Sequence, residues 1–210
     1  MTPLKRAFDI AAVLFLGTLL AIPFAAIAVW AVRRHGWPLF YVAERMKSPT
    51  EAFGLWKLRT MTIAGADSGV TGADKAARIT PAGAILRRTR ADEIPQLWNV
   101  LRGDMSFVGP RPPLRQYVER FPEVYAAVLR SRPGVTGLAT LYAHAWEERV
   151  LAACRTPDET DAAYTRRCVP RKARLDLIYQ QRRTLWLDIW IMWETVMRVL
   201  RRRTRRAGGR

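Results

Sequence analysis

No feature limits the fold of this chain as much as residues 10–32. They carry 23 consecutive uncharged side chains, with only Gly17, Thr18 and Pro23 interrupting an apolar run. As a helix rising ~1.5 Å per residue, the stretch reaches ~34 Å, enough to cross the hydrocarbon core of a bilayer. Three arrangements are open to it. A cleaved signal peptide would end near Ala26-Ile27-Ala28, although the apolar core of such peptides runs only ~7–15 residues. A spanning helix fits by length. A re-entrant helix, entering and leaving on one side, fits two further details. Basic residues flank both ends, Lys5 and Arg6 before and Arg33 and Arg34 after, which gives a spanning helix no clear orientation. Pro23 also removes a backbone donor just past the middle.

Beyond this segment the chain has enough length for one compact domain, since half of its 210 residues are hydrophobic. The formal net charge of +17 draws it toward phosphate, whether in nucleic acid, anionic lipid or a phosphorylated substrate. Two cysteines, Cys154 and Cys168, exclude a disulfide framework and a four-thiolate zinc site. No sustained period points to a repeat or a coiled coil.

Local patterns order the rest. Trp37, Phe40 and Tyr41 suit a membrane interface, and Leu39-Phe40-Tyr41-Val42 is expected to pair as a hairpin with a strand within 53–61. Residues 64–74 read as a flexible loop without phosphate-loop spacing. Thr80-Pro81 opens a helix to about Arg90, and a second helix starts near Asp92 because Pro95 is tolerated only in a first turn. Gly103, Gly109, Pro110, Pro112 and Pro113 mark a rigid loop. Leu114, Tyr117, Val118 and Phe121 have helical spacing up to Pro122, and Val124, Tyr125 and Val128 resume it up to Arg132-Pro133-Gly134. A last long helix is expected over about 172–203. Its stripe of Trp186, Trp190, Trp193 and Met197, beside a final thirty residues of net charge +7, suits a helix lying in the headgroup layer.

The densest chemistry lies at Arg87-Arg88-Thr89-Arg90-Ala91-Asp92-Glu93. Cations and a helix start would keep a carboxylate ionised and collect anions, as a nucleophile attacking a phosphoryl group requires. Neighbouring residues on a helix point about 100° apart, so Asp92 and Glu93 suit two separate roles rather than a shared-proton pair. An ordinary charged first turn has the same sequence.

The run Asp92-Glu93-Ile94-Pro95-Gln96-Leu97-Trp98-Asn99-Val100-Leu101-Arg102-Gly103-Asp104-Met105-Ser106-Phe107-Val108-Gly109-Pro110-Arg111-Pro112 resembles the signature of the bacterial sugar transferases, the monotopic phosphoglycosyl transferases. Lys5-Arg6-Ala7-Phe8-Asp9, Trp56-Lys57-Leu58-Arg59-Thr60-Met61, Arg132-Pro133-Gly134-Val135-Thr136-Gly137 and Leu175-Asp176-Leu177-Ile178-Tyr179 agree in order, so the resemblance covers nearly the whole chain. It implies a minimal catalytic form, with a mostly helical α+β fold. A re-entrant membrane helix broken at Pro23 (residues 1–35) would precede a short β-hairpin and amphipathic interfacial helices around a small cytoplasmic catalytic domain (36–210).

The resemblance also implies a chemistry. Asp92 would attack a nucleotide-activated sugar, usually a UDP-sugar, expelling UMP, and polyprenol (undecaprenyl) phosphate would then take up the phospho-sugar to start a surface glycan or exopolysaccharide. Glu93 would ligate Mg²⁺, and Lys57, Arg87, Arg111 and Asp176 would bind substrate. The site would face the cytoplasm at the bacterial inner membrane, among its lipids. Arg87 and Asp176 are also open to a plain salt-bridge role. The sequence departs from the family twice: Ile22 stands where many members have Ser before the proline, and an insert occupies about 143–170 after Gly137.

Within the insert, His144, Cys154 and Cys168 are too few and too far apart to suggest a metal site. A membrane-tethered basic protein binding nucleic acid or anionic lipid is the rival reading. It lacks any nucleic-acid fold signature, so no nucleic-acid partner is expected.

Overall fold

The structure, a computed structural model, describes residues 1–63 and 73–207. The first helix, α1 (Pro3–His35), opens with the Thr2 hydroxyl accepting the Lys5 N–H and closes on Gly36, whose φ of 67° lies in the left-handed region open to glycine. Where the sequence suggests a break at Pro23, α1 runs on as one helix. A single proline removes one N–H donor, and the turns on either side carry the helix past it.

Both ends of α1 dock on the same folded body. Near the start, Lys5 Nζ lies 2.6 Å from buried Asp188, and Arg6 donates to the carbonyls of Val100 at 2.6 Å and Leu101 at 2.7 Å. Buried Asp9 accepts the Phe107 N–H at 3.3 Å. At the far end Ala31 packs with Leu39, Leu58, Leu86 and Ala91, while the Arg59 guanidinium donates to the carbonyls of His35 and Gly36. Between these points Phe15, Leu19 and Ile22 are exposed, Ile22 at 83%.

The expected hairpin forms: β1 (Phe40–Met46) pairs antiparallel with β2 (Ala52–Leu58), from Phe40 opposite Leu58 to Met46 opposite Ala52. The loop expected over 64–74 lies outside the described residues as far as 72, and its last two residues open a 3₁₀ turn, Ala73–Arg78. Helix α2 (Pro81–Thr89) begins as expected, with the Thr80 hydroxyl capping the Gly83 N–H. It crosses the hairpin exit so closely that a Cβ on Gly83 would run into the Thr60 backbone.

Next come a short 3₁₀ turn, Ala91–Glu93, and α3 (Gln96–Arg102). The helix expected from Asp92 therefore starts later. Pro95 caps it, so the proline sits just before the first turn rather than within it. Strand β3 (Ser106–Val108) then pairs in parallel with β4 (Gly134–Thr136). Between them α4 (Arg115–Arg120) and α5 (Pro122–Val128) meet at Pro122, as the spacing predicts.

The insert folds into α6 (Leu138–Ala152), α7 (Pro157–Ala163) and a π-helical turn, Tyr164–Cys168. Cys154 and Cys168 are buried free thiols, and no metal-ligating group of three occurs among the described residues. The single last helix expected over 172–203 is two helices, α8 (Val169–Arg182) and α9 (Leu185–Ala207). Arg183 is extended (φ −60°, ψ 125°) and the Thr184 hydroxyl accepts the Leu187 N–H, restarting the helix. Tyr179 of α8 bridges the break, donating to Asp188 at 2.6 Å. Along α9, Ile191 is buried whereas Trp186, Trp190 and Trp193 are exposed, as a helix bound for the headgroup layer requires.

Candidate active site

The 3₁₀ turn presents Asp92 and Glu93 at the meeting point of β2, α2, α3 and the loop after β3. Arg90 adopts a left-handed conformation (φ 60°), which turns the chain sharply out of α2 and sets the acid pair facing back to the hairpin. Side chains from three places converge on Glu93. Arg90 Nη1 is 3.2 Å from one carboxylate oxygen, and Arg111 Nη1 (3.6 Å) and Lys57 Nζ (3.8 Å) approach the other.

Lys57 is placed by a contact that sequence reasoning missed. The Asn99 side chain, buried in α3, accepts the Trp56 N–H at 3.0 Å and donates to the Gly54 carbonyl at 2.8 Å. It thereby clamps β2 to the helix that follows the acid pair. The one available signal was a second amide in the same short helix, Gln96-Leu97-Trp98-Asn99-Val100.

Burial alone would push both carboxyls up. Asp92 is raised by its burial and by the charge of Glu93, against the pull of Lys57, Arg87 and Arg111. Burial of Glu93 is outweighed by Arg111, Lys57 and Arg90, which hold it down to about 2. The two acids thus have different environments: the cations expected to keep the attacking carboxylate ionised act mainly on Glu93, whereas burial and the charge of Glu93 prevail at Asp92. Lys57 is lowered to about 8, by burial first and by Arg111 next, with Glu93 and Asp92 restraining the fall.

Arg87 of α2 donates from Nε to the Thr60 hydroxyl at 2.9 Å, and its charge reaches Asp92. Asp176 of α8 lies elsewhere: its charged neighbour is Lys172, it is buried, and its Oδ1 has no hydrogen-bond partner. Burial pushes it up to about 7. The structure therefore brings Lys57, Arg87, Asp92, Glu93 and Arg111 together and leaves Asp176 in a second cluster.

Hard carboxylate oxygens beside free phosphate positions are the donor set that Mg²⁺ takes when a substrate supplies the remaining oxygens. Glu93 has carboxylate oxygens of that kind, with Arg90 against one and Lys57 and Arg111 against the other. The contacts of Lys57 and Arg111 to Glu93, beyond 3.5 Å, are loose enough to pass to an incoming phosphate.

An acid pair ringed by cations, on a body held by a long apolar helix, defines a membrane-associated protein with a site suited to phosphorylated compounds. The family model for bacterial sugar transferases matches residues 1–202, and the chain belongs to that family. It is 32% identical over 215 residues to the UDP-galactose-lipid carrier transferase of Erwinia amylovora, an alignment covering 95% of this chain and 41% of that protein. It is 36% identical over 202 residues to the UDP-glucose:undecaprenyl-phosphate glucose-1-phosphate transferase of Caulobacter vibrioides (93% and 69% covered). The uncharacterized sugar transferase EpsL of Bacillus subtilis is 32% identical over 200 residues (94% and 87%). The chain spans about two fifths of the length of the Erwinia protein.

Proposed function

We propose that this protein transfers a sugar-1-phosphate from a nucleoside-diphosphate sugar, a UDP-sugar by analogy with its relatives, to polyprenol phosphate. The observation that carries this reading is the acid pair: one carboxylate free to attack, the other held charged by Lys57, Arg90 and Arg111.

In the first step an Asp92 carboxylate oxygen attacks the sugar-bearing phosphorus. The bond from that phosphorus to the bridging oxygen breaks, the electron pair leaves with UMP, and an aspartyl phospho-sugar forms. In the second step the phosphate oxygen of polyprenol phosphate attacks the same phosphorus. Asp92 returns as a carboxylate, and a polyprenyl-diphosphate sugar is released. Lys57, Arg87 and Arg111 stabilise the phosphoryl oxygens throughout. Mg²⁺, held by Glu93 and the donor diphosphate, would supply further charge neutralisation.

UMP release from a panel of UDP-sugars, with polyprenol phosphate and Mg²⁺, tests the reaction; a folded protein that releases none from any donor overturns it. A membrane-tethered basic binding protein remains the contrasting reading, and it predicts steeply salt-dependent affinity for nucleic acid. The charged pocket needs no such partner to account for it.

The pH profile is expected to be bell-shaped. Asp92 works ionised, so activity rises as it loses its proton, at a pH above the usual carboxylate range. Lys57 works charged, so activity falls as pH climbs through about 8. Lys57→Arg should move the alkaline limb upward, and an unmoved limb would remove Lys57 from the assignment.

The two docked ends of α1 support a re-entrant anchor. A straight helix of 33 residues is ~50 Å long, and one compact body cannot hold both ends on opposite faces of a bilayer. The exposed Phe15, Leu19 and Ile22 face of the unbroken helix would then sink into one leaflet, and the site would face the cytoplasm. Cysteines placed at Thr2 and His35 should both react from the cytoplasmic side, against a quiet background of buried Cys154 and Cys168. Labelling from opposite sides would establish a spanning helix instead.

A further inference from the structure

A second polar cluster lies beyond Arg111, where α6, the π-helical turn and α8 meet. Lys172 Nζ of α8 is 3.0 Å from the Glu147 carboxylate of α6, and it donates to the Tyr164 hydroxyl at 3.2 Å. The Lys172 and Glu147 side chains are 12% and 16% exposed, as sheltered as the acid pair, yet each keeps an open edge. Tyr164 opens the π-helical turn and is fixed by its ring against Tyr117, at a centroid distance of 4.7 Å. Irregular turns of this kind recur at functional sites. Beside Lys172 the buried Asp176 Oδ1 has no partner at all.

Arg111 joins the two clusters. It contacts Glu93, and it also feels the charge of Glu147 and of Tyr164. A lysine, a glutamate and a phenol in contact carry almost no net charge but offer both donors and acceptors. That is poor chemistry for a diphosphate and good chemistry for a polyol. Holding a nearly buried ion pair is costly unless its remaining polar capacity is used, and the orphaned Asp176 oxygen shows capacity to spare.

We propose that Glu147, Tyr164 and Lys172 form the donor-sugar subsite, hydrogen-bonding the hexose hydroxyls while Lys57 and Arg111 hold the phosphates. The assignment rests on the reaction proposed above. The insert would then set which sugar is accepted, leaving the chemistry at Asp92 unchanged.

The test compares kcat/KM for UDP-glucose, UDP-galactose and their N-acetyl counterparts in the unaltered enzyme, Tyr164→Phe and Glu147→Gln. Tyr164→Phe keeps the ring on Tyr117 and the ion pair, so folding is retained. Both variants should shrink the ratio between the best donor and its epimer by about ten- to a hundredfold, with inhibition by UMP unchanged. A uniform loss across donors, or a parallel loss of UMP affinity, overturns the subsite in favour of a role in positioning Arg111 or binding the nucleotide. UMP release by the unaltered enzyme, lost in Asp92→Asn, separates the two levels. With it present, an unchanged preference overturns the subsite alone; with it absent, the reaction falls and the subsite with it.

Discussion

The Asp92→Asn protein is expected to release UMP at least about a thousandfold more slowly than the unaltered enzyme while folding normally. The amide has the same shape as the carboxylate and removes a charge that burial and Glu93 already disfavour, so the fold should tolerate it well. What it lacks is an anionic oxygen nucleophilic enough to displace UMP from phosphorus. With donor sugar labelled and polyprenol phosphate withheld, label should remain on the unaltered chain and be missing from the variant. Full activity in the variant would sink the covalent mechanism. Glu93→Gln is the informative companion, because it removes the charge that Lys57, Arg90 and Arg111 converge on. It should weaken labelling of Asp92 without abolishing it, and it should shift the metal requirement.

The largest loss of stability is expected from Gly109→Ala. Gly109 stands directly before Pro110-Arg111, where the β3 loop passes under β4. A Cβ there would land on the Arg132 carbonyl, and one on Gly134 or Gly137 would land on the Gly109 backbone. None of the three needs a left-handed conformation, since the only such glycines among the described residues are Gly36 and Gly103. Their role is to let two chain segments touch. A methyl group between backbones cannot be absorbed by a side-chain rotation, so the strands must separate. The cost should reach about 3 kcal/mol or more, which lowers Tm by about 6–12 °C in a chain of this size. Thermal unfolding in detergent would measure it. A shift below about 2 °C would show that the β3–β4 contact is looser than the structure has it.

Those glycines show what the sequence tells and what it withholds. Gly109 and Gly134 were legible as loop punctuation beside prolines, and their packing role was not, because it joins residues 25 positions apart. Local signals performed well where a cap or a proline decides the outcome: Thr80-Pro81 starts α2, Pro122 divides α4 from α5, and alternation sets the hairpin. They failed at Arg183-Thr184, where an unbroken apolar period hid a cap that only the Tyr179–Asp188 bridge makes worthwhile. The acid pair, Arg87 and Arg90 were legible because they are adjacent in the chain, whereas Lys57 and Arg111 were reached only through the family resemblance. Asn99, Glu147, Tyr164 and Lys172 were not, since each acts on a partner from another element.

The docking of α1 at both ends bears on how such a protein can be made to dissolve. Deleting residues 1–35 would not free a soluble catalytic fragment. It would uncover Leu39, Leu58, Leu86 and Ala91 where Ala31 now lies, and leave Asp188 buried without its lysine. The anchor is masonry as much as mooring. Solubility is better sought by keeping the helix and replacing its exposed apolar side chains, Leu14, Phe15, Leu19, Ile22 and Val29, with polar residues, because these face away from the rest of the molecule.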